Sequence, residues 1–199
     1  MIPAPFLDVV RAAVPGAVLE EVPSVDMPTV YVDCEHLLDV SRILRDSSAL
    51  EFAFLADVTA VDYLPREPRF EVVYHLASLG AAFSQSGQAP PARRLRLKVR
   101  IAGDDARIPS VSGIWPTAGW PEREVWDLFG IVFDGHRDLR RILMTDDWDG
   151  HPLRKDYPVQ IRKETSGWSP LQMTPEEFAA NIREARARSG SEGAGRRRE

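Results

Sequence analysis

The chain has a single cysteine, Cys34, among its 199 residues. One thiol cannot close an internal disulfide, and it cannot supply a thiolate iron–sulfur site or a cysteine-based zinc site. Cys34 stands where an extended run hands over to a helical pattern, in 29-TVYVDCEHLL-38, and reads as a structural thiol. No run of 18 or more apolar residues occurs, so no segment suits a membrane-spanning helix. The first twenty residues carry Asp8 and one base, Arg11, without the basic and long apolar regions of a secretory signal, and a cytoplasmic location is the expectation. The phosphate loops GxxxxGK[ST] and GxGxxG are missing, as is the nucleophile elbow GxSxG. A concentrated basic stripe is missing too. Residues 1–90 hold 5 Arg/Lys against 13 Asp/Glu (−8), and residues 91–199 hold 20 against 17 (+3), which sums to the net charge of −5. Cations interleaved with acids argue against a nucleic-acid-binding face.

What is present is enough apolar content, 44%, for one real core. Phe6, Val9, Val10 and Ala13 are spaced for a helix over 5–14 that ends before Pro15-Gly16. Extended segments follow near 17–21 and 28–32. Leu37, Leu38, Ile43 and Leu44 then give an amphipathic helix over 35–47. Three strands are predicted at 52–64, 70–79 and 93–102, with Gly80 and 84–92 as the loop between the last two. The last strand alternates Leu95, Leu97, Val99 and Ile101 with Arg94, Arg96, Lys98 and Arg100, so one of its faces is buried. Its cationic face is either solvated or set against an acidic partner. The order predicts an α+β fold: a two-layer domain with a mixed, about five-stranded sheet and helices on one face.

From about residue 103 the texture changes. The stretch 108-IPSVSGIWPTAGW-120 leads into a compact helix, 121-PEREVWDLFG-130, with Pro121 at its start and Gly130 as its cap. Residues 131–172 have little periodicity, and such a stretch must be ordered by lying on something else. Thr174, Pro175 and Glu177 form a capping box that starts a helix over 174–188, and a disordered tail, 189–199, is expected. The division is therefore 1–130 as the α+β domain, 131–173 as an extended partner-docking segment, and 174–199 as helix and tail.

The charged cluster 150-GHPLRKDYP-158 could serve as a catalytic site, a phosphate or metal site, or a surface fitted to another protein. Glu122 and Glu124 point about 200° apart on a helix and cannot share one substrate atom, while Arg123 and Asp127 are spaced to pair on a charged outer face. His136 and His151 have no cysteine near them. The calcium-loop pattern fails from Asp147, because the fifth position is His151 and Pro158 stands where the bidentate Glu belongs. Asp146 and Asp147 are expected to pair with arginines such as Arg140 and Arg141. Arginine with aromatics (Trp126, Phe129, Phe133, Trp148, Tyr157) is the composition of interface hot spots, and Pro152 and Pro158 pre-set an extended backbone. Recognition is the reading the residues favour.

The run 122-EREVWDLFGIVFDGHRDLRRILMTDDWDGHPLRKDYP-158 closely resembles the signature of the C-type subunit family of NADH-quinone oxidoreductase, respiratory complex I. The resemblance extends upstream to about residue 50. Arg137 is a departure, standing where the family usually has proline. The resemblance implies a cofactor-free subunit of the peripheral arm, with FMN, iron–sulfur clusters, NADH and quinone used elsewhere in the assembly. It implies a hetero-oligomer in which the chain docks on the quinone-reducing, D-type large subunit and neighbouring peripheral-arm subunits. It further implies attachment to the cytoplasmic side of the cell inner membrane only through the complex, no nucleic acid, no catalysis by the chain alone, and no catalytic, cofactor-binding or metal-binding residue in it. The interface residues implied are Glu122, Arg123, Glu124, Asp127, Phe129, Gly130, His136, Arg140, Arg141 and the whole run Gly150, His151, Pro152, Leu153, Arg154, Lys155, Asp156, Tyr157 and Pro158. Other readings are a homologous subunit of an energy-converting hydrogenase or other-donor pump, a stand-alone enzyme using His136 or His151, and a nucleic-acid binder.

Overall fold

The computed structural model describes residues 7–80, 92–103, 105–158, 174, 176–180 and 182–183. The expected 84–91 part of the loop and the 189–199 tail lie outside them, as do residues 159–173. The order is α1 (Leu7–Ala13), β1 (Val18–Val22), β2 (Thr29–Val32), α2 (Leu37–Asp46), β3 (Phe54–Asp62), β4 (Phe70–Ser78), β5 (Arg93–Ile101), β6 (Arg107–Pro109), α3 (Gly119–Phe129) and β7 (Val132–Asp134). The first five strands form one mixed sheet in the order β1-β2-β5-β4-β3, with β2 and β5 parallel and the other neighbours antiparallel. The short strands β6 and β7 pair in parallel as a second sheet, which the sequence pattern did not anticipate.

Alternation in β5 sets the two layers. Leu95, Leu97, Val99 and Ile101 are buried, opposite Leu76, Tyr74, Val72 and Phe70 of β4. These residues share one core with Leu7 and Val10 of α1, Leu37, Val40 and Leu44 of α2, and Val125 and Phe129 of α3. Two helix stripes differ from the expectation. The buried stripe of α2 is Leu37, Val40, Ser41 and Leu44, with Leu38 and Ile43 only flanking it. In α1 the inward residues are Leu7 and Val10, while Val9 faces out. Three of the β5 cations are answered within the chain. Arg96 pairs with Asp26 (2.7 Å), Lys98 with the buried Glu71 (2.7 Å) and Arg100 with Glu20 (3.0 Å).

Residues up to 159 and those beyond belong to separate units. In the second, Thr174 Oγ1 accepts the Glu177 N–H (3.2 Å) and Glu177 Oε2 accepts the Thr174 N–H (2.8 Å), the reciprocal capping box.

Candidate functional site

Helix α3 is the post on which the signature is built. It begins two residues before Pro121, and it ends where Gly130 takes the left-handed conformation (φ 73°) and its N–H returns to the Trp126 carbonyl. A Cβ at Gly130 would lie 2.5 Å from His151 Cδ2 and 2.7 Å from Arg154 Nη2, so the cap and the strip exclude any larger residue. Trp115 Nε1 donates to the Phe52 carbonyl (3.0 Å) and Thr117 Oγ1 to that of Leu55 (3.3 Å), which fixes the approach to α3.

The outer charged face expected of α3 is corrected by the structure, because Glu122 and Asp127 are both completely buried. Asp127 does not pair with Arg123. Its Oδ2 accepts three successive backbone N–H groups, from Ile142 (3.0 Å), Leu143 (2.8 Å) and Met144 (2.8 Å), and its Oδ1 accepts Arg141 Nη1 (2.7 Å). Burial pushes the Asp127 carboxyl up, but these four donors together outweigh it and bring it to about 2. Arg123 instead donates to the carbonyls of Arg140 (3.1 Å) and Arg141 (2.9 Å). Arg140 pairs with Asp138, and Arg141 reaches on to the carbonyls of Trp148 (2.7 Å) and Gly150 (3.1 Å). The expected pairing of these two arginines with Asp146 and Asp147 is therefore replaced.

The last carbonyls of a helix lack partners within it. In α3 they are taken by the 150–158 strip. His151 Nδ1 lies 2.9 Å from the Asp127 carbonyl, the Leu153 N–H donates to that of Leu128 (3.0 Å), and Arg154 donates to those of Phe129 and Gly130. A guanidinium at a helix C-terminus also meets the negative end of the macrodipole. Farther along, Asp156 is gripped by both terminal nitrogens of Arg69 (3.0 and 2.8 Å), and Arg69 holds Asp62 through Nε (3.0 Å) and Nη2 (2.8 Å). The Lys155 N–H adds a 2.9 Å bond to Asp62. Burial pushes Asp62 up, yet Arg69 and the two backbone donors, Lys155 and Leu64, bring it to about 2. Tyr157 lies against Gly150, and its hydroxyl donates to the Asp149 carbonyl (3.1 Å).

The strip thus lies on the chain's own α3 and on the β3–β4 hairpin, which supply a surface of the kind the aperiodic stretch was expected to need. Arg154 and Asp156 spend their charge inside the chain. No residue from 134 to 158 is itself buried. The exposed residues among those expected at an interface are Glu124, Arg140, Leu153, Lys155, Asp156 and Pro158, with Trp120 and Leu143 beside them in sequence. Phe129 belongs to the core, and Pro152 is half-buried. His136 accepts the Asp138 N–H at Nδ1 (3.1 Å), and its Nε2 lies 2.9 Å from the Gly119 carbonyl at the start of α3. Arg137 is exposed in this turn. His151 sits at the other end of α3, about 12 Å away along eight helical residues, so the two histidines form no common site. Asp62 and Arg69 were missed by sequence reasoning. Asp62 carried a signal: it follows Val58 and Ala60 at the inward parity of β3, where an acid needs a partner. Among the described residues no group of three His, Cys, Asp or Glu could hold a metal, and no helix is long and apolar enough to cross a membrane.

The family model for the 30 kDa subunit of respiratory-chain NADH dehydrogenase matches residues 30–163. The chain belongs to this family. Among curated relatives, the C-type subunit of NADH-quinone oxidoreductase from Roseiflexus sp. (strain RS-1) is 47% identical over 156 residues, 78% of this chain and 84% of the relative. Among solved structures, a trypsin-resistant fragment of Nqo5 is 35% identical with a TM-score of 0.52, covering 67% of this chain and 98% of the fragment. A chain of the membrane-bound sulfane sulfur reductase, an archaeal respiratory membrane complex, is 28% identical with a TM-score of 0.62, covering 77% of this chain and 84% of its own length. The family match runs from within β2 to β7 and includes helix α3 and all of 136–158, the strip together with the turn and the gripped backbone that lead into it.

Proposed function

We propose that this chain is a cofactor-free scaffold subunit of the peripheral arm of a proton-translocating NADH:quinone oxidoreductase, fastened to the quinone-reducing large subunit and its peripheral-arm neighbours. The assembly would carry FMN and iron–sulfur clusters, pass electrons from NADH to quinone, and hold this chain on the cytoplasmic face of the cell membrane. The observation that carries the reading is the shape of the strip. Asp127 and Arg141 clamp its backbone, Arg154 ties it to the end of α3, and Arg69 holds its Asp156 carboxylate, while Arg140, Leu143, Leu153 and Lys155 face outward. A pre-ordered strip with apolar and cationic residues on its outside binds with little ordering cost. The interface role therefore divides: Asp127, Gly130, Arg141, His151, Arg154 and Asp156 shape the strip, and Glu124, Arg140, Leu153 and Lys155 make the contact.

Co-expression with the large subunit and affinity purification of the pair test this. Lys155→Ala combined with Leu153→Ala is expected to reduce co-purification at least tenfold without changing the thermal midpoint of the chain alone. Undiminished co-purification and normal quinone reductase activity would count against the docking role, and a defined activity of the chain alone would count against the scaffold. The relationship to the sulfane sulfur reductase chain favours one second reading, a homologous subunit of an energy-converting hydrogenase or a pump fed by another donor. Identification of the co-purified subunits separates the two, since a flavin- and NADH-binding module is expected only in the first.

A further inference from the structure

Glu122 is a completely buried carboxyl with no lysine or arginine within ion-pair distance among the described residues. Its Oε1 accepts the Val111 N–H (2.8 Å) and its Oε2 accepts the Ser110 hydroxyl (2.6 Å). Ser110 Oγ is 2.7 Å from Ser112 Oγ and also accepts the Ser112 N–H (3.2 Å). Both serines are half-exposed. The facing groups are few. From the turn after β7, His136 Nε2 stands 3.9 Å from Oε2. From β4, Tyr74 presents a fully buried hydroxyl that has no hydrogen-bond partner among the described residues. Each of the other carboxylates gripped around α3 and the strip, Asp62, Asp127 and Asp156, is answered by an arginine. Glu122 alone in this set is answered by a hydroxyl chain that leads to the surface.

We propose that Glu122 is a reversible proton-binding site of the folded chain, exchanging its proton with water through the Ser110 and Ser112 hydroxyls. The relay balances atom for atom. The Glu122 Oε2–H bond breaks as its proton goes to Ser110 Oγ. The Ser110 proton passes to Ser112 Oγ, and the Ser112 proton passes to a solvent water. One hydronium leaves, and the carboxylate left behind accepts the Ser110 O–H. On protonation the same two hydroxyls turn the other way, with Glu122 as the donor. The electrostatics agree: burial pushes the Glu122 carboxyl up, the Ser110 and Val111 donors pull it back only partly, and it comes to about 7. Burial, with the neighbouring Glu122 adding to it, holds the Tyr74 phenol well above its ordinary range, so Tyr74 keeps its proton throughout.

The test is a pH titration of the full-length chain labelled with 13C at glutamate side-chain carboxyls, with Glu122→Gln identifying the resonance. A carboxyl resonance missing from Glu122→Gln and titrating with a midpoint between 6 and 8, about 7, is the expected result. Ser110→Ala, which removes a donor to the charged form, is expected to raise the midpoint further. Ser112→Ala is expected to leave the midpoint in place and to slow proton exchange at the carboxyl at least tenfold in line-shape analysis. A midpoint below 5.5, or no titration before unfolding, would overturn the site. Unchanged exchange in Ser112→Ala would overturn the relay.

Discussion

The main sheet and the 136–158 strip lie on one domain, and they are held by different forces. In the sheet, Val72, Tyr74, Leu95, Leu97 and Val99 are essentially removed from water, and Arg96 and Arg100 pair with Asp26 and Glu20 at the surface. In the strip no residue is buried, and order comes from charged side chains that grip backbone groups: Asp127 on three N–H groups, Arg141 and Arg154 on carbonyls. Apolar burial is shared among many atoms and tolerates a loss. A buried carboxylate with four donors concentrates the stabilisation of a whole segment in one side chain, because removing it leaves those donors unsatisfied.

The comparison is broken most severely at Asp127. Asp127→Ala is expected to cost about 3–5 kcal/mol locally, the scale for stripping one partner from a buried charged pair, and to expose 136–158 to rapid proteolysis while the sheet amides stay protected. Leu97→Ala is expected to cost about 2–5 kcal/mol by leaving a cavity, and to do so globally, lowering the urea midpoint with strip and sheet opening together. Equal loss of strip and sheet protection in both variants would erase the distinction. Gly130→Ala places a Cβ against His151 and Arg154 at positive φ, so about 1–2 kcal/mol of backbone strain is expected along with a displaced strip, visible as loss of protection at Leu153.

Titration sharpens the comparison from another side. Asp62 and Asp127, the carboxylates that hold the strip, come to about 2 in the folded chain against 3.8 when unfolded. The unfolded chain binds more protons in that window, so their stabilisation is complete above pH 3.8 and is lost as pH falls through 2. Glu122 has the opposite sign. Its folded value of about 7 exceeds 4.5, so stability falls as pH rises from 4.5 to 7 and levels off above. Urea midpoints across pH 3–9 are expected to lose the upper slope in Glu122→Gln and keep it in Asp127→Asn. The smallest effect belongs to the sheet's outer face. Arg100→Ala breaks an exposed pair with Glu20 and, screened by water, is expected to change stability by less than about 1 kcal/mol.

The same contrast explains what the sequence disclosed. Alternation at 93–101 carries its own period, and the observed β5 follows it, as Gly130 and the Thr174–Glu177 box follow the rules for helix ends. Side-chain grips on backbone have no period. Nothing in the spacing of Asp127 and residues 142–144 announces that one carboxylate caps three N–H groups, and the signature was recognisable as a family pattern before its geometry was. Charge alone does not tell an outward contact from a fastener: Arg154 and Asp156 tie the strip to α3 and to Arg69. The short strands β6 and β7, three residues each, fall below the length at which a pattern can be seen.

The central claim is that the strip is ordered by its own chain and meets a partner already shaped. Amide hydrogen exchange of the purified full-length chain, with no partner present, tests it most directly. Protection at Ile142, Leu143, Met144 and Leu153 in the isolated wild-type chain, lost in Asp127→Ala, is the predicted result. Exchange of these four amides at unprotected rates, with protection appearing only on binding the large subunit, would contradict it.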